Sequence, residues 1–257
     1  MQGPSLFLCL TASLLAGAVS ACEPKLVVGE YACPVDGGVE PMPNLTEAIT
    51  VPWQTSFERG FCDYLRLSGF CYQPDTFEIT SAQAHSGHYS AAFRVVSNNA
   101  DANQSRCVRQ GIFPKQVYLS AWYFIPAPAS NRGNWNLFHY RAGTTAPTDG
   151  LWDISIATAT NGELGLYIRK GGETKGIGET PPIPIGVWFQ VEVFFRRAAD
   201  DTGELTLYQD GQKIASITGE STDTFTWGQW YVGNLSDGLM PNDFTLYVDD
   251  VSIRETP

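Results

Sequence analysis

From Trp53 onward the apolar positions recur with a period of two, the spacing of strands that bury one face against a core. The clearest run is 187–196, where Val187, Phe189, Val191, Val193 and Phe195 alternate with Trp188, Gln190, Glu192, Phe194 and Arg196. The same reading predicts strands over Thr55–Phe57, Phe77–Thr80, Tyr89–Val96, Ser105–Gln110, Gln116–Phe124, Asn134–Arg141 and Leu151–Ala157. It continues through Leu164–Arg169, Glu204–Gln209, Gln212–Thr218, Gln229–Gly233 and Thr245–Ile253. Gly, Pro, Asn and Asp separate the runs, and Asp210-Gly211 reads as the two-residue turn of a hairpin. Many short strands without an amphipathic helix predict an all-β fold, a two-sheet antiparallel sandwich over 53–257.

Ahead of this region the pattern changes twice. An apolar run from Leu6 to Val19 ends in Ser20-Ala21, which reads as a signal peptide over 1–21 and is short for a membrane span. Val19-Ser20-Ala21-Cys22 resembles the bacterial lipobox, which implies lipidation of Cys22 and a cell-envelope lipoprotein. No Lys or Arg precedes the run, so ordinary cleavage and secretion stays open as the alternative. Residues 22–52 are rich in Pro, Gly and acidic residues and read as an N-terminal tether, with Cys33 placed to pin it down.

Composition narrows the partners. Aromatic residues make up 12% of the chain, which suits strands and a large core. The formal charge of −11 argues against nucleic acid, and an anionic polymer would need a local basic patch. After Val19 no apolar stretch approaches the roughly 20 residues of a spanning helix, so any membrane contact is expected through the lipid anchor alone. A monomer without an organic cofactor is expected. Cys33, Cys62, Cys71 and Cys107 form an even set in an exported chain and predict two disulfides. Of the three possible pairings, the short Cys62–Cys71 loop is favoured.

Several segments resemble a known family. Trp188-Phe189-Gln190-Val191-Glu192-Val193, followed by Gly203-Glu204-Leu205-Thr206-Leu207-Tyr208-Gln209-Asp210-Gly211, is similar to a pattern of concanavalin A-like lectin and glucanase (LamG-like) jelly rolls. Phe57-Glu58-Arg59-Gly60, Ser86-Gly87-His88-Tyr89 and the closing Leu246-Tyr247-Val248-Asp249-Asp250-Val251 fit the same domain. The nearest resemblance is to polysaccharide-lyase-like, heparin-lyase-related domains. Such lyases carry Gln-x-His on a central strand of the concave face. Here His139 matches the histidine, while Leu137 stands where the glutamine would be. The Glu-x-Asp-x-x-Glu strand of the family's glycosidases has no counterpart. The resemblance also implies structural Ca²⁺ held by Glu58 and Asp250.

The period of two places Trp135, His139 and Arg141 on one strand face, Tyr167 and Arg169 on another, and Trp188, Gln190 and Glu192 on a third. If these strands are neighbours, they form a groove of flat apolar faces and planar hydrogen-bonding groups suited to sugars. Three functions stay open. The first is a carbohydrate-binding or surface-recognition protein with a polysaccharide partner. The second is a polysaccharide lyase for a uronate polymer, with His139 as base and Tyr167 as acid. The third is a structural surface protein without affinity for glycans.

Overall fold

A computed structural model describes residues 47–65, 69–72, 77–96, 103–143, 151–176 and 181–257. The signal peptide, Cys22, Cys33 and nearly all of the tether lie outside the described residues. In chain order the strands are β1 (Trp53–Thr55), β2 (Glu58–Phe61), β3 (Gly69–Tyr72), β4 (Phe77–Thr80), β5 (Ser90–Val96) and β6 (Asn103–Gly111). They continue with β7 (Gln116–Phe124), β8 (Ser130–Asn131), β9 (Trp135–Ala142), β10 (Leu151–Thr158), β11 (Leu164–Lys170) and β12 (Glu173–Gly176). The last are β13 (Trp188–Arg196), β14 (Gly203–Gln209), β15 (Gln212–Glu220), β16 (Gly228–Ser236), β17 (Leu239–Met240) and β18 (Asp243–Arg254). A single helical turn, α1 (Cys62–Leu65), interrupts them.

Two antiparallel sheets form the predicted sandwich. The first runs β15-β14-β13-β7-β18-β5-β4, with β1 also paired to β18. The second runs β12-β11-β10-β9-β16-β6-β3. Strand β13 shows why the pattern was readable: Phe189, Val191, Val193 and Phe195 enter the core at 0–1% exposure, and their alternates face outward. Only Val187 departs from the expectation, being exposed and ahead of the strand. The hairpin between β14 and β15 turns at Asp210 and Gly211 with φ of 50° and 75°, both left-handed as that turn type requires.

Aromatic residues from both sheets fill the interior. Trp135 of β9 meets Phe244 of β18 edge-on at 5.4 Å, and Tyr140 packs on Phe195 of β13 at 4.6 Å. Trp135, Trp152 and Trp230 are fully buried, each contributing on the order of 2–3 kcal/mol by removal from water. Ile49 joins this core, and Ala48 bridges Ile112, so residues just ahead of Trp53 already pack on the domain.

The favoured Cys62–Cys71 pairing is replaced by Cys71–Cys107. The two residues are directly opposite on the adjacent strands β3 and β6, a register that chain spacing alone does not show. The bond closes a separation of 36 residues, worth about 4 kcal/mol in the chain-entropy account. Cys62 is also disulfide-bonded.

Candidate functional site

The outer face of the second sheet is shaped by an irregularity of β9. Opposite β10, the register of β9 passes from Phe138↔Ile154 to Asn136↔Ser155, so Leu137 is an extra residue on β9. A bulge of this kind reverses which side chains face out on one side of it. Leu137 and Trp135 therefore turn into the core at 0% exposure, and Asn136 joins His139 and Arg141 outside. The bulge is held from within, because the buried Tyr123 hydroxyl donates to the Leu137 carbonyl at 3.2 Å. The Trp135 indole donates to Asn234 Oδ1 at 3.0 Å, which settles it as a core residue rather than a sugar platform.

Cross-strand register places the outward residues in rows. One row runs Tyr231 (β16), His139 (β9), Asp153 (β10) and Arg169 (β11). A second pairs Gln110 (β6) with Gln229 and Arg141. A third runs Asn136, Ser155 and Tyr167, with Arg106 of β6 opposite Gly233 on the far side. Of the residues expected to form a groove, His139, Arg141, Tyr167 and Arg169 are thus brought together. Trp188, Gln190 and Glu192 are not. They lie on β13, in the other sheet, facing the opposite side of the sandwich.

His139 is the chemical centre. Its Nδ1 lies 2.6 Å from Asp153 Oδ1, and the same oxygen accepts Asn136 Nδ2–H at 2.7 Å. Burial lowers the His139 pKa, against the hydrogen bond and charge of Asp153, and the charges of Arg106 and Arg141 lower it further. The imidazole is therefore neutral at pH 7. A carboxylate carries no proton to give, so Nδ1 is the protonated nitrogen and Nε2 keeps its lone pair. Tyr231 stands directly opposite His139, its ring perpendicular at 4.8 Å. Its hydroxyl donates to Gln229 Oε1 at 2.7 Å, and Gln229 in turn donates to Gln110 at 2.8 Å. The Arg106 guanidinium lies 4.7 Å over the Tyr231 ring.

Tyr167 sits two strands from His139, about 10 Å away across the sheet, whereas Tyr231 is on the adjoining strand. Arg169 is partly committed, donating to Asn134 Oδ1 at 2.8 Å and to the Gly172 carbonyl at 2.6 Å. Two buried polar atoms on this face, Asn136 Oδ1 and Ser155 Oγ, have no hydrogen-bond partner among the described residues. Buried polar atoms without partners are rare, and here they adjoin a neutral histidine and three arginines. Asn136, Arg106, Gln110, Gln229 and Tyr231 were missed in the sequence. All but Asn136 sit at readable strand positions, but nothing in the chain says which strands are neighbours.

Glu58 and Asp250, the expected calcium ligands, arrive at one turn from opposite ends of the chain. Glu58 Oε1 accepts the N–H groups of His88 and Tyr89, both at 2.8 Å. Asp250 binds His85 Nδ1 at 2.6 Å and the Ser86 hydroxyl at 2.8 Å. Among the described residues no group of three or more His, Cys, Asp or Glu is placed to hold a metal ion.

Several solved structures share this fold. The marine PL-14 alginate lyase from Aplysia kurodai superposes with a TM-score of 0.58 at 11% identity, covering 81% of this chain and 100% of its own. A variant of the alginate lyase Aly36B in complex with alginate trisaccharide gives 0.56 at 11% identity, over 81% and 95%. The endo-β-1,4-glucuronan lyase from Trichoderma reesei gives 0.50 at 12% identity, over 73% and 90%. At such identities the likeness is one of fold. No curated protein matches the chain in sequence. The model of the concanavalin A-like lectin/glucanases superfamily matches residues 115–256, from the start of β7 through β18. With both sheets, their order and this match in agreement, the chain belongs to the concanavalin A-like lectin/glucanases superfamily.

Proposed function

We propose that the outer face of the second sheet binds a uronate-bearing polysaccharide and cleaves it by β-elimination, with His139 as base and Tyr231 as acid. The observation that carries this reading is the neutral His139, held through Nδ1 by Asp153 and flanked by Tyr231. The surroundings support it. Among the described residues, Arg106, Arg141 and Arg169 bring three guanidinium groups to the face that carries His139 and Asp153, on a chain of net charge −11. Guanidinium groups pair with planar carboxylates, and the Asn136 amide takes the place left by leucine in the linear motif.

The chemistry follows from the proton positions. His139 Nε2 takes the proton on the carbon next to the substrate carboxylate. That electron pair forms a carbon–carbon double bond as the adjacent glycosidic C–O bond breaks. The Tyr231 hydroxyl gives its proton to the departing oxygen, and arginine stabilises the charge that builds on the carboxylate. Fold neighbours named as alginate and glucuronan lyases support the substrate class. Export completes the proposal, with Cys22 as its lipid anchor, and the Cys71–Cys107 disulfide supports an oxidising compartment. Mass spectrometry of the mature N-terminus tests the anchor, which an unmodified Cys22 would rule out.

The test of function is incubation with alginate and glucuronan, following the ultraviolet absorbance of the unsaturated uronate product. Product from the wild type and a loss of about 10²–10⁴-fold in His139→Ala are expected. A second reading, recognition without cleavage, draws on Tyr231, which is buried and has its proton committed to Gln229. It predicts retention of the polymer with no product. Neither retention nor product would overturn both.

A further inference from the structure

The opposite side of the sandwich holds a cavity that the uronate reading does not use. It lies where β18 bulges: the register against β7 passes from Asp249↔Trp122 to Ser252↔Ser120, and Asp250 takes a left-handed φ of 43°. A bulge next to a cavity re-aims side chains that a regular strand would bury or splay. The space is about 380 Å³ and is lined by Gln54, Ser56, Ser120, Trp122, Gln190 and Asp250, with Ser86 and Ser252 at its sides.

The chemistry of this lining is distinctive. It offers hydroxyls, two amides, one indole and one carboxylate, with no Lys or Arg in the lining among the described residues. The indole is fixed in place, stacked on the His85 imidazole at 3.7 Å with the planes 17° apart. His85 is itself held, its Nδ1 to Asp250 and its backbone N–H to Asp249 at 2.9 Å. Gln190 Nε2 donates to Ser120 Oγ at 2.9 Å, which orients its carbonyl oxygen and leaves the Ser120 O–H to give. A fixed aromatic with convergent hydroxyl and amide groups suits a ring bearing many hydroxyls. The Asp250 carboxylate disfavours an anionic one, and the Arg254 guanidinium beside Ser252 is already paired with Glu192.

We propose that this cavity is a second carbohydrate site, taking one neutral sugar unit, on the face opposite the arginine-lined one. It stands independently of polymer cleavage. Calorimetric titration of the full chain with methyl β-glucoside, methyl α-mannoside and methyl β-galactoside tests it, with methyl β-glucuronide as the charged control. At least one neutral glycoside is expected to bind with Kd of about 1 mM or tighter, and the glucuronide about tenfold more weakly. Gln190→Ala, which removes an amide, and Ser252→Leu, which fills the cavity, are each expected to weaken binding about tenfold or more, while His139→Ala leaves it unchanged. The two variants act by different means, so a folding defect in one leaves the other decisive. Binding of none of the three neutral glycosides would overturn the proposal. So would equal binding of the glucuronide, or loss of binding in His139→Ala rather than in the cavity variants.

Discussion

The two outer faces of this sandwich carry similar residue types and treat them differently. On the first sheet the outward charged groups are largely paired with one another: Glu192 with Arg254 and Arg196 with Glu204 at 2.9 Å, with Gln190 donating to Ser120, although Arg196 Nε is buried without a partner among the described residues. On the second sheet Asn136 Oδ1 and Ser155 Oγ are buried without partners among the described residues, and His139 keeps a lone pair beside three arginines. On the first face the charges are spent on one another, and what the cavity beside β18 offers is mainly hydroxyl and amide groups. Hydrogen-bonding capacity left unspent next to a neutral histidine is what a polar ligand can satisfy. The comparison teaches that the pairing of charges, more than residue type, tells the two faces apart: one matches acid to base, and the other gathers arginines around His139.

The comparison can be broken in several ways. The largest effect is expected at the bulge. Leu137→Gln should cost about 3–5 kcal/mol in urea unfolding, because it places an amide in the core, while Gln190→Leu on the other face should stay within about 1 kcal/mol. Equal costs would mean that Leu137 does not face inward. Asp153→Asn is expected to lower turnover by about tenfold or more, through loss of the grip on Nδ1. Asp153 raises the His139 pKa, so its removal should also move the acid limb of the rate profile to lower pH. An unmoved limb would show that His139 is not the titrating base.

Next comes Asp249 on the first sheet. It is fully buried, and desolvation raises its pKa to about 6, against the hydrogen bonds from Ser86, Asp250 and His85. An acid raised in the folded state binds more protons there than in the unfolded chain. Stability from this group is present below about pH 4 and is lost as pH rises to about 6, a fall of about 2–3 kcal/mol. Asp249→Asn should flatten that fall, as thermal melts across the window would show. The smallest effect is expected for Glu192→Gln, below about 1 kcal/mol, since its partner Arg254 is part-exposed.

How much of this was legible in the chain depends on regularity. β13 was readable because its alternation is unbroken from Phe189 to Phe195, and the Asp210-Gly211 hairpin because its turn chemistry is local. β9 was found as a strand but misread by face. Counting back in twos from His139 puts Leu137 and Trp135 outside, and one extra residue sends both to the core. A bulge has no reliable mark in a single sequence. Strand order was not legible either, since β9 lies between β10, next in the chain, and β16, whose Tyr231 is 92 positions from His139. The same blindness passed over Tyr231 beside His139, joined β13 to the wrong sheet and favoured Cys62–Cys71. Short strands such as β3, β8 and β17 were missed because so few residues hold too little pattern.

The central claim is that the bulge of β9 sets Asn136 beside His139 and so completes a uronate site. Release of unsaturated product from glucuronan and alginate by Asn136→Leu, beside the wild type, tests it most directly. The account predicts product from the wild type, a loss of about tenfold or more in the variant, and an unfolding midpoint within about 1 kcal/mol of the wild type. Full activity in a folded Asn136→Leu would contradict it.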